Sequence, residues 1–394
     1  MAIAADFDLQ PELSAAARRA GSSAIRDLLS VTERPGLISL AGGMPAPDTF
    51  PVEAIAEAAA SVLERDGAAA VQYSATEGHR PLREWTAARH GVEPAEVTIT
   101  AGSQQGLDLV ARTLVEPGDV VVTTDPSYIG ALQAFRLAGA DLVGIPGDDQ
   151  GLVVDDLAER LAAGLRPRLA YVVANLANPT GVTLTDRRRD QLAALADRYG
   201  FWLVEDDPYS ALRWAGEAPG PLAGRSDRVV TLGTASKVLC PGLRVGHLLA
   251  PRALSTALVR VKQAADLHTS TLTQRITHEL ATRPGFLDRR LAALPGAYRA
   301  RAEALTTALR RHLGDAVDFA PPEGGMFVWA RLTDPDADTT DLLAHALAAE
   351  VAFVPGNAFA VTAGHAAHLR LSFATPTPTE IDEAVRRLAL ALAP

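Results

Sequence analysis

Between residues 97 and 250, short β-rich runs alternate with longer helical patterns, and few folds other than a parallel sheet wound through βαβ units accept that alternation. The pattern predicts strands near 97-100, 119-124, 141-145, 168-174, 201-205, 228-233 and 246-250. Helices are predicted near 103-115, 127-139, 155-163 and 186-199, with another after Pro251. Leu169-Ala-Tyr-Val-Val-Ala and Phe201-Trp-Leu-Val are apolar on both faces, as a sheet covered by helices on either side requires. With 394 residues the chain exceeds one compact core, so a large α/β domain should be joined by a smaller one. After about residue 290 the pattern changes. A long Ala-, Leu- and Arg-rich helix leads to strands in Gly325-Met-Phe-Val-Trp-Ala, Val351-Ala-Phe-Val and His368-Leu-Arg-Leu-Ser-Phe, then to a closing helix. The expected division is a segment 1-40 packing on the small domain or on a partner subunit, a large α/β domain over 41-290, and a small α+β domain over 291-394.

Charge narrows the function. Lys and Arg number 37 against 47 Asp and Glu, a formal charge of -10, which is the wrong sign for a nucleic-acid surface and favours a small-molecule partner. Cys240 is the only cysteine, so an intrachain disulfide and a cysteine zinc cluster are both excluded and a reducing cytoplasm is expected. The start lacks the basic segment and apolar run of a secretory signal, and no apolar stretch reaches membrane-spanning length. His365 and His368 lie three apart without carboxylate or cysteine company and read as a loop pair, not as a metal site.

In an open α/β sheet, ligands bind beyond the carboxyl ends of the strands. The residues placed there form an ordered set: Ser103-Gln104, then Asn178-Pro-Thr-Gly, then Asp206 with Tyr209, then Thr234-Ala-Ser-Lys237, with Arg244 seven residues further on. Singly these are a helix cap, a turn, another cap and a solvated lysine. Jointly they bring an amide, a carboxylate, a phenol, an amine and a guanidinium to one sheet edge, which unrelated loops have no reason to do.

Five longer motifs carry a resemblance: Ser39-Leu-Ala-Gly-Gly-Met-Pro, Gln72-Tyr-Ser-Ala-Thr-Glu-Gly, Gly102-Ser-Gln-Gln-Gly-Leu-Asp, Ser236-Lys-Val-Leu-Cys-Pro-Gly-Leu-Arg and Ala265-Asp-Leu-His-Thr. Over nearly its whole length the chain resembles the fold-type I aminotransferases of class I/II, most closely the 2-aminoadipate and kynurenine group. The resemblance implies a pyridoxal 5′-phosphate enzyme that moves the amino group of an L-amino acid to a 2-oxo acid such as 2-oxoglutarate by a ping-pong reaction, in a homodimer with shared active sites. Lys237 would carry the cofactor as an imine and, once freed, shuttle a proton. Asp206 would pair with the pyridine nitrogen, and Asn178 and Tyr209 would donate to the phenolic oxygen. Tyr128 would stack on the ring. Ser103, Gln104, Thr234, Ser236 and Arg244 would hold the phosphate, joined by Tyr73 from the neighbouring subunit.

Arg370 is the expected receptor of the substrate α-carboxylate, because period-2 alternation puts Leu369, Leu371 and Phe373 on one face of its strand and Arg370 on the other. Gly43 and Asn178 would assist, and Arg26 matches a position that can meet an acidic substrate side chain. Two departures from the family pattern bear on substrate preference: Ala174-Asn-Leu-Ala-Asn178 replaces a segment that usually carries an aromatic and a glutamine, and Thr234-Ala235 stands where Ser-Phe is common. The same apparatus also serves elimination, cyclisation or oxidation. A non-catalytic sensor module is a further alternative, opposed by the acidic charge and by a segment before Ser39 too short for a winged helix.

Overall fold

The computed structural model describes residues 12–19 and 34–392. In chain order the first strands are β1 (Ile38–Ser39), β2 (Val97–Thr100), β3 (Val120–Asp125), β4 (Asp141–Asp148), β5 (Gly151–Leu152), β6 (Pro167–Val173), β7 (Trp202–Asp206), β8 (Val229–Thr234) and β9 (Gly246–Leu249). All but β1 join one sheet, ordered β2-β9-β8-β7-β6-β3-β4-β5. Strands β3, β4, β6, β7 and β8 are parallel, as the alternation predicts. Strand β9 is not: it runs antiparallel to both β8 and β2. The stretch 235–245 that precedes it is occupied by the lysine loop and a tight turn at Pro241–Leu243, leaving no length for a crossover helix. Consequently the carboxyl ends of β2, β3, β6, β7 and β8 and the amino end of β9 lie at one edge, with the order reversing between β3 and β6.

Strand β6 shows how the sheet is held. Leu169 and Tyr171 enter the core shared with Leu107, Val110 and Phe135, whereas Ala170 and Val172 enter the opposite one with Leu157, Leu192 and Leu203. The helices Ser103–Leu114 and Asp186–Tyr199 begin within a residue of expectation. Helices Val52–Asp66, Arg80–His90 and Thr271–Thr282, and the β4/β5 hairpin, were not anticipated by the periodicity reading.

The later strands are β10 (Val317–Phe319), β11 (Phe327–Leu332), β12 (Val351–Ala352), β13 (Val354–Pro355) and β14 (His368–Ser372). They form an antiparallel sheet ordered β10-β11-β14-β13, while β12 pairs in parallel with β1. The single strand expected over Val351-Ala-Phe-Val is therefore two strands in two sheets, since Ala352 pairs with Ser39 and Val354 with Arg370. Helices Phe286–His312 and Pro378–Leu392 supply Leu305, Leu309, Ile381 and Val385 to a core with Leu369, Leu371 and Phe373. No helix among the described residues is long and apolar enough to cross a membrane.

One polar contact inside the large sheet's packing ties these layers to the site edge. Arg189 is fully buried on helix Asp186–Tyr199 and donates to the carbonyls of Leu184, Ala174 and Gly220, to Asn175 Oδ1 at 2.7 Å and to Glu205 Oε1 at 3.2 Å. Removing one partner of a buried pair leaves the other charge uncompensated. Arg189→Met should therefore destabilise the protein by about 3–5 kcal/mol in chemical denaturation, with part of the loss recovered by adding Glu205→Gln. An unshifted midpoint would show that the pair contributes nothing.

Candidate active site

Each strand end contributes one group. Asp206 terminates β7 at 2% exposure; its Oδ2 accepts from the Tyr171 hydroxyl at 2.9 Å, whereas its Oδ1 has no partner among the described residues. Burial raises this carboxyl to about 7, against the opposing pull of the Tyr171 hydrogen bond and of Lys237. Lys237 follows β8 and its Nζ donates to the Gly43 carbonyl at 2.8 Å. Burial, reinforced by Arg370 and Arg244 and opposed by Asp206, lowers that amine to about 8. An amine so placed is closer to its neutral, nucleophilic form at neutral pH than a surface lysine is.

The reversed direction of β9 explains Arg244. Because β9 begins at the site edge, the residues just before it arrive there too, and Arg244 Nη2 donates to the Ala101 carbonyl at 2.8 Å. A Cβ on Gly102, which has φ +79, would meet that guanidinium at 2.8 Å, and one on Gly246 would meet the Gly102 backbone at 2.7 Å. The turn from β2 into helix Ser103–Leu114 is thus a close backbone cradle roofed by an arginine, with Ser103 and Gln104 in the first helical turn. Thr234 Oγ1 donates to Ser236 Oγ at 2.9 Å between β8 and Lys237. Gln104 Oε1 accepts from the Tyr128 hydroxyl at 3.3 Å, and burial pushes that phenol up to about 12.

Arg370 on β14 is 1% exposed. Its Nη1 donates to Asn178 Oδ1 at 2.8 Å and its Nη2 to the Ala41 carbonyl at 2.5 Å, while Nε is buried without a partner among the described residues. The guanidinium lies 4.3 Å from the Phe327 ring centroid and 4.9 Å from that of Phe359. Tyr209 packs edge-on against Phe327 at 5.9 Å, and burial holds its phenol well above the ordinary value.

The structure therefore brings together Lys237, Asp206, Asn178, Tyr209, Tyr128, Arg370 and Gly43, with Arg244, Ser103 and Gln104 at the cradle and Thr234 and Ser236 beside the lysine. Tyr73 stands apart, 77% exposed, with its ring edge-on to His268 at 5.6 Å. Arg26 lies outside the described residues. Three contributors were missed. Tyr171 could have been suspected, as a phenol inside a strand apolar on both faces needs a hydrogen-bond partner. Phe327 and Phe359 had no signal beyond core hydrophobicity. A cavity of about 860 Å³ touches Asn178 and Phe327 but none of Lys237, Asp206 or Arg370, so chemistry and not volume locates the site.

Comparison with known proteins agrees with this geometry. The family model for aminotransferase class I and II matches residues 35–388. A 2-aminoadipate transaminase from Thermus thermophilus is 44% identical, with 95% of each chain covered, and an aromatic-amino-acid aminotransferase from Thermococcus litoralis is 41% identical over 93% of this chain and 91% of its own. Among solved structures, the Thermus thermophilus α-aminoadipate aminotransferase complexed with N-(5′-phosphopyridoxyl)-L-leucine superposes with a TM-score of 0.90 at 41% identity, covering 96% of this chain and 97% of that one. A Pyrococcus horikoshii kynurenine aminotransferase gives 0.92 at 36% identity, with 98% of each covered.

The residues present fit pyridoxal phosphate. The unpartnered Asp206 oxygen asks for a buried N–H donor, which a pyridinium offers, and Lys237, Arg244 and Arg370 leave a surplus of positive charge that an anionic phosphate and a carboxylate would balance. This chain belongs to the class I and II aminotransferases, and is a pyridoxal-phosphate enzyme that transfers amino groups.

Proposed function

We propose that the enzyme takes the α-amino group of an L-amino acid and passes it to a 2-oxo acid, 2-oxoglutarate included, in two half-reactions at the Lys237 site. The observation that carries this reading is Arg370: a fully buried guanidinium, fixed by Asn178 and two rings, with an Nε that has no partner among the described residues, and close enough to Lys237 to depress its amine. Such a group suits a planar substrate carboxylate, which both an amino acid and its 2-oxo acid possess. When bound, pyridoxal phosphate supplies the carbonyl carbon that takes the substrate amine and a ring that withdraws electrons from the α-carbon.

The chain's own residues do the rest. Arg370, Asn178 and Gly43 orient the carboxylate, and Lys237 Nζ takes the proton released from the substrate α-carbon and holds it for return. Asp206, supported by Tyr171, would keep a bound ring nitrogen protonated, Tyr209 and Asn178 would donate to the ring oxygen, and Tyr128 would pack on the ring. Ser103, Gln104, Thr234, Ser236 and Arg244 would hold the phosphate. Arg26 meets an acidic or long substrate side chain, in line with relatives whose names include 2-aminoadipate and kynurenine.

The working form is a cytoplasmic homodimer in which Tyr73 completes the partner's phosphate site. The exposure of the large apolar side chains Val71, Tyr73 and Leu267 supports it. The proposed chain division is a segment 1-40, a large domain 41-290 and a small domain 291-394, and the pairing of Ile38–Ser39 with Val351–Ala352 supports packing of the first on the last.

A panel of amino donors and 2-oxo acids, followed by cofactor absorbance, tests the reaction. Amino-group transfer should be stoichiometric and free of ammonia, Lys237→Ala should reduce turnover by about 10²–10⁴-fold, and Arg370→Met should lower kcat/KM by about 10²-fold. Ammonia released without an acceptor would favour elimination or oxidation instead. A second prediction concerns stability. A carboxyl that titrates near 4 unfolded and at about 7 folded binds an extra proton in the folded state between those values, so its contribution falls as pH rises through that window. The cofactor-free Asp206→Asn variant should thus melt higher than cofactor-free wild type at about pH 8, by the equivalent of a few kcal/mol, and lose that advantage near pH 4. Equal melting temperatures at both pH values would contradict it.

A further inference from the structure

Helix Arg252–Asp266 turns a lysine inward. Lys262 has 0% exposure, and nothing in the proposed reaction uses it. Its amine contacts Asp266 Oδ1 at 2.8 Å, Asp266 Oδ2 at 2.9 Å, Gln105 Oε1 at 3.1 Å and Thr269 Oγ1 at 3.1 Å. Burying an amine costs more than burying a leucine of similar reach, and a well-packed apolar side chain would hold the helix at least as firmly. Fold stability alone does not account for the choice of a lysine.

The partners of Lys262 lead to the phosphate cradle. Gln105 Oε1 also accepts the Ala101 backbone N–H at 2.7 Å, and Gln105 Nε2 donates to Asp266 Oδ2 at 2.6 Å. Thr269 Oγ1 donates to the Ile99 carbonyl at 3.2 Å. The Ala101 carbonyl in turn accepts Arg244 Nη2. The Ile99 carbonyl near the end of β2 and both polar atoms of Ala101 are thereby fixed, the Ala101 carbonyl by Arg244 and the other two groups by partners of Lys262. Gly102, with its positive φ and its contact with the guanidinium, comes next.

Charge points the same way. Asp266 hydrogen-bonds to the side chain of Gln105 in the first turn of helix Ser103–Leu114, where an unpaired carboxylate would oppose an incoming dianion. Lys262 neutralises it at contact distance.

We propose that Lys262 is a positioning residue for the cofactor phosphate: through Gln105 it sets the Ala101–Gly102 backbone and the Arg244 fork, and it cancels the charge of Asp266 beside them. The inference rests on the reading of this turn as the phosphate site. Apo wild type, Lys262→Met and Gln105→Leu would each be titrated with pyridoxal phosphate and with pyridoxal, which keeps the aldehyde and ring but lacks the phosphate. Both variants should weaken pyridoxal phosphate binding by about tenfold while changing pyridoxal binding by less than about twofold. Equal weakening of both ligands would mean that Lys262 serves only the fold and would overturn the proposal, as would unchanged pyridoxal phosphate affinity. If Lys262→Met does not fold, Gln105→Leu decides alone, since it leaves the Lys262–Asp266 pair in place. A wild type that binds the two ligands equally would refute the phosphate-site reading itself, and the proposal with it.

Discussion

Burial of the Arg370 guanidinium is the constraint around which the rest of the site is arranged. A desolvated cation persists only if its hydrogen-bonding positions and its charge are met, and the fold meets them incompletely. Asn178 and the Ala41 carbonyl take two of its nitrogens, Phe327 and Phe359 cover its faces, and Nε is left without a partner among the described residues. These contacts join parts of the chain far apart in sequence: the loop after β1, the turn after β6, strand β11 and the turn at Gly356–Phe359. The large sheet and the antiparallel sheet must both be correctly placed for one arginine to be tolerated, so site geometry and the packing between the sheets are a single requirement.

The large sheet supplies the other half through strand direction. Parallel strands present carboxyl ends at one edge, which brings Asp206 and Lys237 there after β7 and β8. An arginine that precedes a strand could not reach the same edge unless that strand ran backwards, as β9 does. The antiparallel strand is therefore the reason the cradle at Gly102 has a cation above it.

Most of this was legible in the sequence, and the exceptions share a cause. The βαβ alternation located the sheet because both-face burial leaves near-continuous apolar runs, and the Leu369-Arg370-Leu371 alternation assigned Arg370 to the face opposite the core, since a strand period of two is local information. What could not be read was anything decided by a distant partner. Val351-Ala-Phe-Val reads as one strand, but Ile38–Ser39 claims its first half and Arg370 its second. A phenol in an apolar strand says only that Tyr171 needs a partner, and nothing local marks Lys262, because their significance lies in Asp206, Gln105 and Thr269, which the fold brings within reach. The helices Val52–Asp66, Arg80–His90 and Thr271–Thr282 went unpredicted because they flank the sheet without belonging to its alternation.

The unmet groups also say how this fold relates to its ligand. Asp206 Oδ1 and Arg370 Nε are buried site atoms without partners among the described residues, and burial shifts both of their groups toward the neutral form, the carboxyl upward and the guanidinium down to about 10. Each shift is free energy that the cofactor-free protein forgoes and that a complementary ligand restores on binding. A ring N–H at one end and a carboxylate at the other are the two groups able to restore it. Binding and folding are thereby linked, and saturation with cofactor should stabilise the native chain by more than the few added contacts would suggest.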